Sequence, residues 1–148
     1  DNYGYRKGDE VIQATGNILS RACDPERDFI GHIGGDDFII LFQNPDWESR
    51  CRGALDRFAG EIEPIFKPEH RAQGGYLSVD RKERAVLHPL VTLSIGAVPV
   101  EPGRFGSHHE ISTAAADAKK QAKRMPGNSL FIERRGRTAR VGLFLERR

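Results

Sequence analysis

"FIGHIGGDDFIILF", Phe29–Phe42, sets two apolar runs around Gly34, Gly35, Asp36 and Asp37. Phe29–Ile33 and Phe38–Phe42 read as strands, being short, apolar and rich in β-branched and aromatic residues. Only four residues separate them, so an antiparallel hairpin follows. The second run is apolar throughout, the pattern of a central strand covered on both faces.

Working outward, Val11, Ala14 or Thr15, Ile18 and Ala22 recur at helical spacing and predict a helix over 9–22, with Asp9 and Glu10 in its first turn at the positive end of the dipole. Pro25 ends it. Beyond the hairpin, Cys51, Leu55, Phe58, Ile62 and Ile65 are spaced 4-3-4-3, predicting a helix over 46–66 that Pro64 can shorten. "KPEHRAQGG" reads as a loop. "YLSVD" and "AVLHPLVTLSIGAVPV" flank the charged turn "RKER" and predict a second hairpin, its second arm alternating Val91, Leu93, Ile95 and Ala97 with Thr92, Ser94 and Gly96. Ile111, Ala115, Ala118, Ala122 and Met125 predict a third helix, stopped by Pro126-Gly127, and Leu130–Ile132 a last strand. The order α-β-β-α-β-β-α-β calls for an α+β fold with a mainly antiparallel sheet carrying helices.

With 148 residues, 38% hydrophobic and 30% charged, the chain suits one globular domain, and no apolar run reaches the roughly 20 residues of a membrane span. It starts at Asp1, and its single methionine is Met125, so it reads as a fragment or processed chain with no targeting signal legible at its start. Two cysteines make no disulfide framework. Cys51 falls on a helical apolar stripe, as a reduced core thiol in a cytoplasmic protein would. The net charge of +2 hides an asymmetry: residues 133–148 carry a surplus of +4, leaving −2 on the other 132. A basic tail on a near-neutral body does not point to nucleic acid, whose partners spread basic charge over a folded face.

The hairpin tip allows two readings. Gly-Gly and Asp pairs are ordinary turn chemistry, because they tolerate positive φ. The same residues also suit phosphate chemistry. Glycines let backbone N–H groups approach a phosphate, and aspartates beside them can hold Mg²⁺, which takes one or two carboxylates plus phosphate oxygens. Turn composition alone does not choose between them.

Four collinear segments bear on the choice. "GGDDF" between apolar strands resembles the signature of the GGDEF family, the diguanylate cyclase domains of bacterial signalling proteins. "DNYGYRKGDEVI", "VTLSIGAV" and "AKRMPGNSLF" resemble the family's N-D-x-Y-G-H-x-x-G-D, T-x-S-I-G and A-K-x-x-G-R-N segments. The resemblance implies a GGDEF domain over residues 1–135 that lacks its first strand, with 136–148 expected to be a basic tail or linker. The resemblance implies an α/β sandwich with a mostly antiparallel sheet, palm-like as in nucleotide cyclases, on a ferredoxin-like core. It implies condensation of two GTP into cyclic di-GMP and two pyrophosphates, with Mg²⁺ (or Mn²⁺), by an antiparallel homodimer holding one GTP per protomer. Asp36 would be the metal ligand and Asp37 the second acid, one methylene shorter than the usual Glu. Gly34 and Gly35 would admit the phosphates, Asp9 would bond the guanine edge, and Lys123 the terminal phosphate.

This sequence also departs from the pattern. The family's first strand, with a second metal carboxylate, would lie before Asp1. Gly127 replaces the phosphate-binding Arg and Pro126 its neighbouring Gly; Lys120 stands for Tyr, Tyr5 for His, and His32 for the Arg before the glycine pair. The inhibitory product site, R-x-x-D, retains Asp28 but has Pro25 in place of its Arg, so no typical inhibitory site is expected. An alternative to the cyclase is a degenerate GTP-binding module that regulates a fused EAL phosphodiesterase domain. In either case sensory or EAL domains are expected in the full-length protein, and membrane contact by this domain is not. A polymerase-like palm acting on nucleic acid is disfavoured, because the body lacks a basic face. His108-His109 with Glu110 reads as a solvated loop, and Trp47 and the regularly spaced phenylalanines as core.

Overall fold

The computed structural model describes residues 4–65, 75–79, 81–89 and 91–134. The loop expected over 67–75 lies almost wholly outside these residues, as does the basic tail 136–148. The chain divides after Val91 into two compact units.

The first unit opens with α1 (Gly4–Ala22), followed by β1 (Phe29–Gly34), β2 (Asp37–Leu41), α2 (Trp47–Ile62), a 3₁₀ turn over Glu63–Ile65, β3 (Gly75–Val79) and β4 (Ala85–Pro89). On α1, Thr15, Ile18, Leu19 and Ala22 are buried. On α2, Cys51, Ala54, Phe58 and Ile62 are buried, so each helix turns one apolar stripe inward and α1 packs on α2. Arg50 Nη1 donates to the Ala22 carbonyl at 3.0 Å, capping the C-terminal end of α1, where a cation complements the dipole. Arg21 holds both oxygens of Glu61 at 2.7 and 2.9 Å. Both side chains are about half exposed, so that bridge contributes at most ~1 kcal/mol. The helix ends at Ile62, short of the expected 66, because Pro64 lacks the N–H and crowds the preceding turn.

The second unit holds β5 (Ser94–Ala97), α3 (His108–Lys123) and β6 (Ser129–Ile132). The strands pair in parallel, Ser94 opposite Ser129 and Ala97 opposite Ile132. The Asn128 side chain lengthens the ladder by accepting from Leu93 N at 2.8 Å, and Ser129 Oγ donates to the Ala122 carbonyl at 2.6 Å, fastening the strand to the end of α3. Ala118, Ala122 and Phe131 form the buried centre with Val98 against it. The helix lies so close to β5 that a β-carbon on Gly96 would overlap the backbone of Ala118 and Lys119. Ser107 caps α3, its Oγ accepting from Glu110 N, while a Glu110 carboxylate oxygen accepts from Gly106 N at 2.7 Å.

The α+β class holds: among the described residues, three helices accompany three strand pairs, two antiparallel and one parallel. Four local expectations are corrected. Helix α1 begins at Gly4, so Asp9 and Glu10 sit in its second turn and no acid occupies the first. The sequence from Ala85 to Ala97 is two strands rather than one arm: Pro89 has no N–H for a further rung, and β5 instead pairs with β6. His108 and His109 open α3, exposed and with ring centroids 4.1 Å apart, rather than lying in a loop. Finally, β2 is not covered on both faces, since Ile39 and Leu41 are 44% and 52% exposed, and Phe29 opposite Leu41 is 57% exposed rather than core.

Candidate functional site

The hairpin register explains how the tip is built. Phe29 faces Leu41, Ile30 faces Ile40, Gly31 faces Ile39 and His32 faces Phe38. The register then shifts and Gly34 faces Asp37, leaving Ile33 as a bulged residue. Gly35 and Asp36 form the two-residue loop. Gly34 has φ 152° and Gly35 φ 53°, while Asp36 keeps a negative φ, the sign pattern of a type II′ turn across Gly35-Asp36. No atom lies within 4 Å of a β-carbon placed on either glycine, so φ requires glycine here and internal crowding does not. Gly34, Gly35 and Asp36 are exposed, and Asp37 is half-buried.

Two contacts fix this tip to the body. His32 Nε2 lies 2.7 Å from the Gly35 carbonyl oxygen, and its ring stacks on Phe38 at 4.5 Å and 12°. The Phe38 ring in turn lies against α1 at Gly16, where a β-carbon would stand 3.4 Å from Cε1. The His32 contact was not anticipated from the sequence. Counting the register back from the four-residue connection would have set Ile33 opposite Phe38 and His32 opposite Ile39; the bulge at Ile33 brings His32 opposite Phe38 instead.

The open end of the hairpin is tied by Asp28. One carboxylate oxygen accepts from Gln43 N and the other from Asp24 N, both at 2.8 Å. These two backbone donors, Asp24 first, hold the carboxyl below its usual range. Arg27 Nη1 donates to Asn44 Oδ1 at 3.1 Å rather than to Asp28. In the core, burial pushes the Cys51 thiol up to about 11, with Glu48 adding to the rise. Both cysteines are free thiols, as expected.

The structure thus gathers Gly34, Gly35, Asp36 and Asp37 at one tip and puts Asp28 at the opposite end of the same ribbon. Asp9 is exposed on α1 and joined to the tip by no hydrogen bond or ion pair among the described residues. Lys123 is the exposed last residue of α3, in the second unit. The tip suits a hard cation: it offers exposed carboxylate oxygen beside backbone with no β-carbon in the way, although no cluster of three or more His, Cys, Asp or Glu that could hold a metal occurs among the described residues.

The family model for the diguanylate cyclase GGDEF domain matches residues 1–129. The chain belongs to the GGDEF family. It is 28% identical over 132 residues to "Probable diguanylate cyclase DgcT" of Escherichia coli (strain K12), covering 89% of this chain and 26% of that protein. It therefore spans about a quarter of the relative's length. No solved structure matches. Within a GGDEF domain the glycine–aspartate tip is the signature itself, here written Gly34-Gly35-Asp36-Asp37-Phe38. The family as a whole is of the cyclic di-GMP cyclase type, acting on GTP, in dimers and generally with a metal ion. No described helix is long and apolar enough to cross a membrane.

Proposed function

We propose that residues 1–135 are the catalytic GGDEF domain of a diguanylate cyclase, which joins two GTP into cyclic di-GMP and releases two pyrophosphates. One observation carries this reading: an exposed Gly34-Gly35-Asp36 tip whose two glycines have open space around them, beside the stacked His32 and Phe38 rings. Gly34 and Gly35 leave room for the triphosphate to lie along the backbone, and Asp36 supplies carboxylate oxygen for Mg²⁺ or Mn²⁺. When bound, that cation neutralises phosphate charge and acidifies the attacking hydroxyl. Asp37 is the second acid of the pair. Asp9 accepts from the guanine edge, and Lys123 holds the terminal phosphate. In each half-reaction a ribose 3′ oxygen bonds the α-phosphorus of the other GTP, its proton passes to solvent, and the bond to the β-phosphate oxygen breaks. The two substrates arrive on two protomers, so a homodimer is required.

A second reading draws on Pro126 and Gly127, where the family segment has Gly and Arg. Gly127 sits at φ 72° and brings no phosphate-binding side chain. A domain weakened in this way would bind GTP without turnover and regulate a fused EAL domain. Incubating the full-length protein with GTP and Mg²⁺ and separating the products decides between the two. Cyclic di-GMP that disappears in Asp36→Ala supports the cyclase, GTP binding without product supports the regulator, and neither binding nor product overturns both.

A further inference from the structure

The Gly35–Asp36 peptide bond is planar and trans, so its C=O and N–H point in opposite directions. The carbonyl end is held: His32 Nε2 lies 2.7 Å from Gly35 O. A carbonyl oxygen only accepts, so Nε2 carries the proton and donates. The ring cannot swing away freely, because it is stacked on Phe38 at 4.5 Å and nearly parallel. With the carbonyl drawn towards β1, the Asp36 N–H is turned the other way, and no hydrogen bond from Asp36 to another described residue occupies it. Gly35 at φ 53° would otherwise let this peptide rotate, since glycine populates both signs of φ at similar cost.

We infer that His32 is a positioning residue: it holds the Gly35–Asp36 peptide with the Asp36 N–H facing outward, as a preset donor for a phosphate oxygen of the bound nucleoside triphosphate. The inference rests on the cyclase reading above and adds to it a residue that the signature motif does not contain. A donor fixed before the reaction acts without reorganising as phosphate charge develops, and that is where such donors contribute most.

A pair of variants in the full-length protein separates donation from packing. His32→Phe keeps the stack on Phe38 and removes the donor, whereas His32→Gln removes the stack and keeps an N–H donor. With GTP and Mg²⁺, His32→Phe is expected to lower kcat about tenfold or more with a smaller change in KM, and His32→Gln to stay within about threefold of the parent. Should His32→Phe fail to fold, His32→Met takes its place, matching Gln in size but lacking the donor. Equal activity in the donor and donor-less variants overturns the inference and leaves the cyclase reading standing. A parent protein that neither binds nor converts GTP overturns both.

Discussion

The Asp28 carboxylate accepts the backbone N–H of Gln43, fifteen residues on, at 2.8 Å, and so closes the open end of the signature hairpin. Its other oxygen is taken by Asp24 N. These donors favour the ionised form, so Asp28 titrates below its ordinary value of 3.8. The carboxyl thus binds a proton more weakly folded than unfolded. The stability it contributes is present above that ordinary value and is lost as pH falls through the lower, folded value. Chemical denaturation followed from pH 7 down to pH ~2.5 should show this loss, and Asp28→Asn should be less stable at pH 7 with a flatter profile in the acid range.

The same engagement bears on product feedback. Where the family's inhibitory site has its Arg, this chain has Pro25, and Arg27 reaches Asn44 instead. We expect added cyclic di-GMP to leave the rate of GTP conversion within about twofold at concentrations that saturate an intact R-x-x-D site, the loss of one charged hydrogen bond alone weakening binding by about tenfold or more. Steep inhibition that Asp28→Ala removes would show the site to be intact.

Two glycines should fail for different reasons. Gly96→Ala drives a β-carbon into the backbone of Ala118 and Lys119, which cannot yield like the end of a side chain. A loss of about 3 kcal/mol or more, or failure to fold, is expected. Gly35→Ala has open space around it, and only its φ of 53° is at issue, at a cost of about 1 kcal/mol. Thermal melts of the two variants should therefore differ widely, and equal melting temperatures would contradict the close α3–β5 approach.

Lys123 is tested by kinetics. As the terminal-phosphate ligand of the cyclase reading, Lys123→Ala should weaken GTP binding about tenfold while leaving the melting temperature nearly unchanged, because the side chain is exposed at the end of α3. Unaltered KM and kcat would remove it from the site.

Cys51 should resist alkylation. With its thiol pushed up to about 11 by burial, almost no thiolate exists at pH 8. Iodoacetamide is expected to modify Cys51 only on the timescale of unfolding. Rapid labelling of native protein at Cys51 would place the residue outside the core.

The sequence alone determined what repeats locally. Apolar residues at helical spacing, 4-3-4-3 in the second and third, placed the three helices of the described residues, because a 3.6-residue period leaves few other ways to bury Ile18, Phe58 and Ala118. The four-residue connection made Phe29–Phe42 an antiparallel hairpin, and Gly34-Gly35 announced the positive φ of its turn. Four collinear motifs marked the family. Pairings between distant segments required tertiary structure: β5 takes β6 as its parallel partner across α3, and nothing in "VTLSIGAV" encodes that choice over continuing from β4. The α1 start also escaped, since Gly4 to Gly8 carry no apolar period. At the site, the motif supplied the identities of the tip residues, but the cross-strand register and its bulge decided that His32 would reach Gly35 and that Asp28 would be spent on the backbone of Asp24 and Gln43. Composition sets which groups can donate and accept; only the folded register sets which ones meet.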